Sequence, residues 1–216
     1  MCFSPEASFI GGVAIISIGA VAIKKVQKPN QLLFAMIPLF FGFQQIAEGV
    51  VWLSLQNPEF VLYQEASTMA FLIMAQIFWP AYLPLTVMLM EENKKRKQIL
   101  ALFLVLGIIV ALYYTYCLIN FGVYPQIEQY HIRYYKDFPK SLNNTVLAMY
   151  LIASLTPLFV SSIKRMRYFG AFMFFSCAIA AIFYTQYLTS VWCFFAAILS
   201  GFVFWIVKGS KKEVQS

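Results

Sequence analysis

Seven long apolar runs, separated by short stretches that carry nearly all the charge, constrain this chain more than any other feature. A hydrocarbon layer of about 30 Å takes about 20 apolar helical residues to cross. Segments at roughly 5–23, 32–54, 67–90, 98–119, 144–162, 168–188 and 190–208 reach or approach that length. Only 12% of the 216 residues are charged and 61% are hydrophobic. A water-soluble chain is about a quarter charged, so too little polar surface exists here to face water. The expected fold is all-α: a polytopic membrane protein forming one seven-helix transmembrane domain over residues 1–216, with an outer loop at 120–143. Its first partner is the lipid bilayer.

The charges orient the bundle. Of 16 Lys and Arg, 13 lie in four clusters: Lys24, Lys25, Lys28; Lys94, Lys95, Arg96, Lys97; Lys164, Arg165, Arg167; and Lys208, Lys211, Lys212. The other three, Arg133, Lys136 and Lys140, sit in the long loop between spans four and five. Cytoplasmic loops carry the Lys/Arg excess, which predicts an outer N-terminus and a cytoplasmic C-terminus. The net charge of +7 thus reflects topology. No basic face interleaved with aromatics is long enough for nucleic acid, so none is expected as a partner. The first residues carry no Lys or Arg, so the basic start of a cleavable signal is missing.

Glu48 is the one ionisable residue expected well inside the hydrocarbon. An intramembrane charge is costly and marks a functional-site hypothesis. Gln44, Gln45 and Trp52 share its helix face at 3.6-residue spacing. Gln76, Trp79 and Tyr82 fall in the outer and middle parts of span three, Tyr184, Gln186 and Tyr187 end span six, and Trp192 and Cys193 begin span seven. Polar and aromatic groups therefore gather in the outer half, the usual make-up of a small-ligand pocket. The duller alternatives are a Glu48 reaching to the interface, glutamines bonded between helices at about 1 kcal/mol each, and an ordinary belt of interfacial aromatics.

Pro38, Pro80, Pro84 and Pro157 fall inside spans two, three and five and are expected to kink them. Ser8, Gly12 and Gly19 in span one, with Gly42 and Gly49 in span two, make small-residue faces that predict close packing of the two. Spans 1–3 and 5–7 run in the same directions, but the sequence echo between them is poor, and its best match, Gln45…Trp52 against Gln186…Trp192, is out of step by one.

The four cysteines, Cys2, Cys117, Cys177 and Cys193, show no zinc spacing. The chain has one histidine, which excludes a multi-histidine metal site within one protomer. Cys2, with a free amine once Met1 is removed, offers a soft-metal chelate with Glu48 as a further ligand, or it pairs with Cys117 or Cys193 as a disulfide. The lone histidine lies in Tyr130-His131-Ile132-Arg133-Tyr134-Tyr135, whose alternation fits a short hairpin over the bundle mouth or a solvated loop.

Met1-Cys2-Phe3-Ser4-x-x-Ala7-Ser8-Phe9 resembles the opening of a family of bacterial multi-pass membrane proteins of unknown function, and Gln44-Gln45-x-x-Glu48-Gly49-x-x-Trp52 resembles its second-span motif. The resemblance implies a multi-pass protein of the bacterial inner (cell) membrane, and no activity or cofactor. Seven spans also bring retinal proteins to mind, but span seven holds no internal lysine for a Schiff base; Lys208 is at its inner end. Three functions remain open. One is binding or transport of a small molecule or cation in an outward-facing pocket around Glu48, with Gln44, Gln45, Gln76, Trp52, Tyr184 and Trp192 lining it. The second is a membrane-embedded enzyme using Glu48 with Cys2, Ser4 or a metal. The third is a structural subunit of a membrane complex.

Overall fold

Ser4 starts the first helix as expected: its hydroxyl accepts a hydrogen bond from the Ala7 amide at 3.2 Å, and Pro5 occupies the first helical position. The computed structural model describes residues 4–183 and 195–213. Helix α1 runs Pro5–Ile23, α2 Ile37–Gln56, α3 Gln64–Leu72, α4 Trp79–Met90, α5 Lys94–Asn120, α6 Lys140–Val160, α7 Lys164–Phe183 and α8 Ala196–Glu213. A single turn, Leu32–Ala35, precedes α2. Helices α3 and α4 form one span, joined by a π-helical segment, Ile73–Phe78. Among the described residues six stretches, from Pro5–Ile23 to Lys164–Ile182, are long and apolar enough to cross a membrane. The expected seventh run is helical from Ala196, and its beginning lies outside the described residues.

Two boundaries differ from expectation. Lys94–Lys97 form the first turn of α5 rather than a loop, because the Asn93 side chain caps that helix, accepting from the Lys95 and Arg96 amides at 3.0 and 3.2 Å. Pro38 and Pro80 fall at helix starts within their spans. Each lies in the first turn of its helix, α2 and α4. Pro84 and Pro157 are internal, as expected.

The prolines leave backbone carbonyls without donors, and distant side chains supply them. In a π-helix the Ala75 carbonyl would bond the amide of residue 80, but Pro80 has none. The Tyr150 hydroxyl, from α6, donates to that carbonyl at 2.8 Å. Tyr82 donates to the Leu33 carbonyl at 2.7 Å, beside the Met36 amide that also donates to it at 3.2 Å.

The small-residue faces do bring α1 against α2. A Cβ on Gly12 would meet the Gly42 carbonyl at 3.0 Å, one on Gly19 would meet Leu39, and one on Gly49 would meet the Phe9 ring. Five rings, Phe40, Phe41, Phe78, Trp79 and Tyr82, fill the space between α2 and the π–α4 unit, with Phe41 stacked on Trp79 at 4.1 Å and Phe78 on Tyr82 at 4.4 Å.

At one end of the bundle the loop between α5 and α6 forms the hairpin that the aromatic alternation suggests. Strand β1, Val123–Glu128, pairs antiparallel with β2, His131–Lys136, across a Gln129–Tyr130 turn. Gln129 has φ 56°, the left-handed conformation such a tight turn demands. One hairpin face points into the bundle: Ile132 is fully buried and Tyr134 stacks on Phe71 at 5.0 Å. Lys136 shares that face, and burial lowers its amine to about 8. Since the unfolded chain holds that proton up to the ordinary lysine range, stability is expected to rise as pH climbs from about 8 towards 10. Thermal melts across that range check this, and Lys136→Met is expected to remove the rise.

At the opposite end, Glu91 ties two loops together. Its carboxylate accepts from the Ser162 amide and hydroxyl, both at 2.7 Å, and from the Asn93 amide at 2.9 Å. Arg96 donates to the Val160 carbonyl at 2.8 Å beside it. Burial pushes the Glu91 carboxyl up, but these donors and the Arg96 charge outweigh it and hold it below the usual carboxylate range. The stabilisation is therefore present above the ordinary glutamate value and lost as pH falls through the lowered one. Glu91→Gln is expected to flatten the acid limb of a pH–melting profile.

Candidate functional site

Glu48 sits near the middle of α2, about 12 Å from its hairpin-end terminus at 1.5 Å per residue. It is completely buried and does not reach an interface. Its level in the neighbouring helices follows from two contacts. The Trp79 indole N–H donates to Gln44 Oε1 at 2.6 Å, which fixes α4 against α2. The two run antiparallel, so one turn towards the hairpin on each carries Gln44 to Glu48 and Trp79 to Gln76. On the other flank, the Gly49–Phe9 contact sets α1, and Ser8 falls beside the Glu48 level. Trp52, one turn further, packs with Phe71, Leu72 and Ala75 beneath the hairpin.

These side chains form a polar layer inside an apolar bundle. Ser8, Gln44, Gln45, Glu48 and Gln76 are all buried. Both amide atoms of Gln45, Gln76 Oε1 and the Trp52 indole nitrogen have no hydrogen-bond partner among the described residues. Buried polar atoms of this kind are rare and call for an explanation. Helices α1 and α2 and the α3–π–α4 span contain no Lys, Arg or His.

The π segment explains why Gln76 joins the layer. An extra residue in the turn rotates the facing of the residues beyond it, and π-bulges recur at functional sites. Pro80 favours the bulge and Tyr150 holds its Ala75 carbonyl, the residue before Gln76. The sequence points to Gln76 through its place in the outer half of span three. It carries no sign of the bulge or of Tyr150.

The remaining candidates divide. Gln44 is committed to Trp79, which makes it an interhelical strut. Ser4 uses its Oγ for the α1 cap and lies about 7 Å beyond Phe9 along the axis, further from the Glu48 level. Cys2, Tyr184, Gln186, Tyr187, Trp192 and Cys193 lie outside the described residues. Cys117 and Cys177 are buried thiols in no disulfide. Among the described residues no three His, Cys, Asp or Glu side chains are grouped to hold a metal. His131 is buried in the hairpin, and that burial lowers its imidazole.

A family model described as a family of unknown function (DUF6629) matches residues 1–216. No curated protein and no solved structure matches the chain.

Proposed function

The chain belongs to this family of unknown function, and from that premise we propose that it is a multi-pass membrane protein that binds or carries a small polar solute or cation at the Glu48 layer. The observation that carries the reading is the burial of a carboxylate at mid-span in a layer with Gln45, both of whose amide atoms lack a hydrogen-bond partner among the described residues, and Gln76, whose Oε1 does too. A bundle that needed only helix contact would be more stable with apolar side chains of similar volume there. Access is from the hairpin end, which the distribution of Lys and Arg makes the outer face of a cell membrane. Trp52 supports the hairpin-side wall of the layer.

The reading is tested by screening solutes against the purified protein for thermal stabilisation, with Glu48→Gln beside it. The variant is expected to lose stabilisation by the solute that protects the native protein. A Glu48→Gln protein with unchanged solute response and unchanged melting would remove the layer from the function.

A further inference from the structure

We propose that the α7–α8 face at the basic end of the bundle holds the headgroup of an anionic phospholipid, with one of its acyl chains lying along α7. Arg165 builds the polar part. It lies in the first turn of α7, crosses to α8 and donates to the Trp205 carbonyl at 3.0 Å, with its guanidinium carbon 4.7 Å from the centre of the Trp205 ring. Gly209 makes room for the crossing, since a Cβ there would fall on Arg165 Nη1. A guanidinium carries five N–H groups in a fixed plane, and one bond to a carbonyl leaves donors for a phosphate. Tyr168 packs edge-on to Trp205 at 6.2 Å, and both rings are exposed at their rims, the usual setting of aromatics at headgroup level.

Two lysines flank this cluster. Lys164 precedes Arg165 on α7, and Lys208 follows Trp205 by three residues on α8; both are exposed. Among the described residues Lys164, Arg165 and Lys208 make no ion pair. The acidic residues at this end are Glu91, Glu92 and Glu213. Glu91 is engaged by Ser162 and Asn93, Glu92 by Lys28, and Glu213 ends α8 a turn beyond Gly209. The surplus of Lys and Arg makes this the cytoplasmic end, where the leaflet supplies anionic lipid.

The apolar part is a stripe. Lys164, Tyr168, Phe175, Ile179 and Ile182 share one face of α7, and all are exposed. From Tyr168 to Ile182 the stripe runs about 21 Å into the hydrocarbon at 1.5 Å per residue. An acyl chain uses that length and a free phosphate does not. A second copy of the chain on the same face would set cations against cations, and the bulky stripe lacks the small residues that bring membrane helices close.

The test is native mass spectrometry of the full chain released from nanodiscs holding phosphatidylcholine and phosphatidylglycerol in equal parts. Phosphatidylglycerol is expected to stay bound at least about fivefold more often than phosphatidylcholine. Arg165→Gln and Lys208→Gln are each expected to cut that preference about threefold, while Lys95→Gln, an exposed lysine on α5, leaves it within about twofold. A preference that survives both substitutions, or that falls as far in Lys95→Gln, overturns the inference. Thermal protection by inorganic phosphate equal to that by phosphatidylglycerol overturns it as well, because the stripe then takes no part. Arg165→Gln that leaves lipid retention intact and raises only the dimer fraction assigns the face to a second copy, which also overturns it. Should Arg165→Gln not fold, Lys208→Gln decides alone, since its side chain makes no hydrogen bond to the bundle among the described residues.

Discussion

Gly107→Ala is expected to destabilise the protein by about 3 kcal/mol or more, the largest effect of any single methyl addition in the bundle. Pro84 has no N–H, so the Pro80 carbonyl four residues earlier loses its helical donor. Helix α5 approaches that carbonyl with Gly107, whose Cα–H faces a bare oxygen in place of the missing amide. A Cβ at this position would land on the Pro80 oxygen and lie only 2.6 Å from the carbonyl carbon. Both atoms are backbone, and no rotamer change relieves the overlap. The α4–α5 pair has to separate. Gly201→Ala, in α8, is the control, because a Cβ there meets nothing within 4 Å among the described residues. It is expected to be neutral or slightly stabilising, since alanine favours helix over glycine. Melting of the two variants in the same detergent decides the point, and comparable Tm values for both would contradict it.

The second large effect is expected at Tyr150. Removing its hydroxyl as Tyr150→Phe leaves the Ala75 carbonyl buried without a donor, at a cost of about 1–3 kcal/mol. The cause is specific: the hydroxyl substitutes for the amide that Pro80 lacks. Pro80→Ala returns an N–H to the segment. In that background Tyr150→Phe is expected to cost less, by about 1 kcal/mol or more, a coupling that a double-mutant cycle measures directly. Additive costs would mean that the tyrosine stabilises by packing alone. Solute response provides a second reading, because a relaxed π segment moves Gln76.

Much of this arrangement is written locally in the chain. Ser4 and Pro5 announce the first helix, the glycine spacings announce the α1–α2 contact, and the depth of Glu48 comes from counting turns. The hairpin is one of two readings that an alternating aromatic stretch allows, and burial of Ile132 and Tyr134 makes it the observed one. Pairing across long separations is not announced. Tyr150 meets Ala75, Ser162 meets Glu91 and Gly107 meets Pro80 through packing of whole helices, and no local pattern encodes those meetings. Prolines are readable as interruptions, but whether an interruption becomes a kink, a fresh helix or a π turn depends on which neighbour can serve the stranded carbonyl. The partition of the glutamines is of the same kind. Gln44 and Gln45 are adjacent and chemically identical, and only the Trp79 indole makes one of them a strut.

The five-ring stack between α2 and the π–α4 unit has a kinetic consequence. Rings with centroids 4.1 to 5.2 Å apart fill the space between α2 and the π–α4 unit on the side of the layer away from the hairpin. On the binding reading proposed above, a molecule resting at Glu48 would have this stack between it and the basic end. Onward movement to the basic end requires at least one of these side chains to swing aside, with Trp79 giving up its hold on Gln44 as it goes. On that reading occupancy and throughput would be separable, the first set by the carboxylate and amides and the second by how often an aromatic side chain swings aside. Shaving that stack, as in Phe78→Ala, is expected to speed solute flux across a vesicle wall while leaving the equilibrium filling of the chamber nearly as it was.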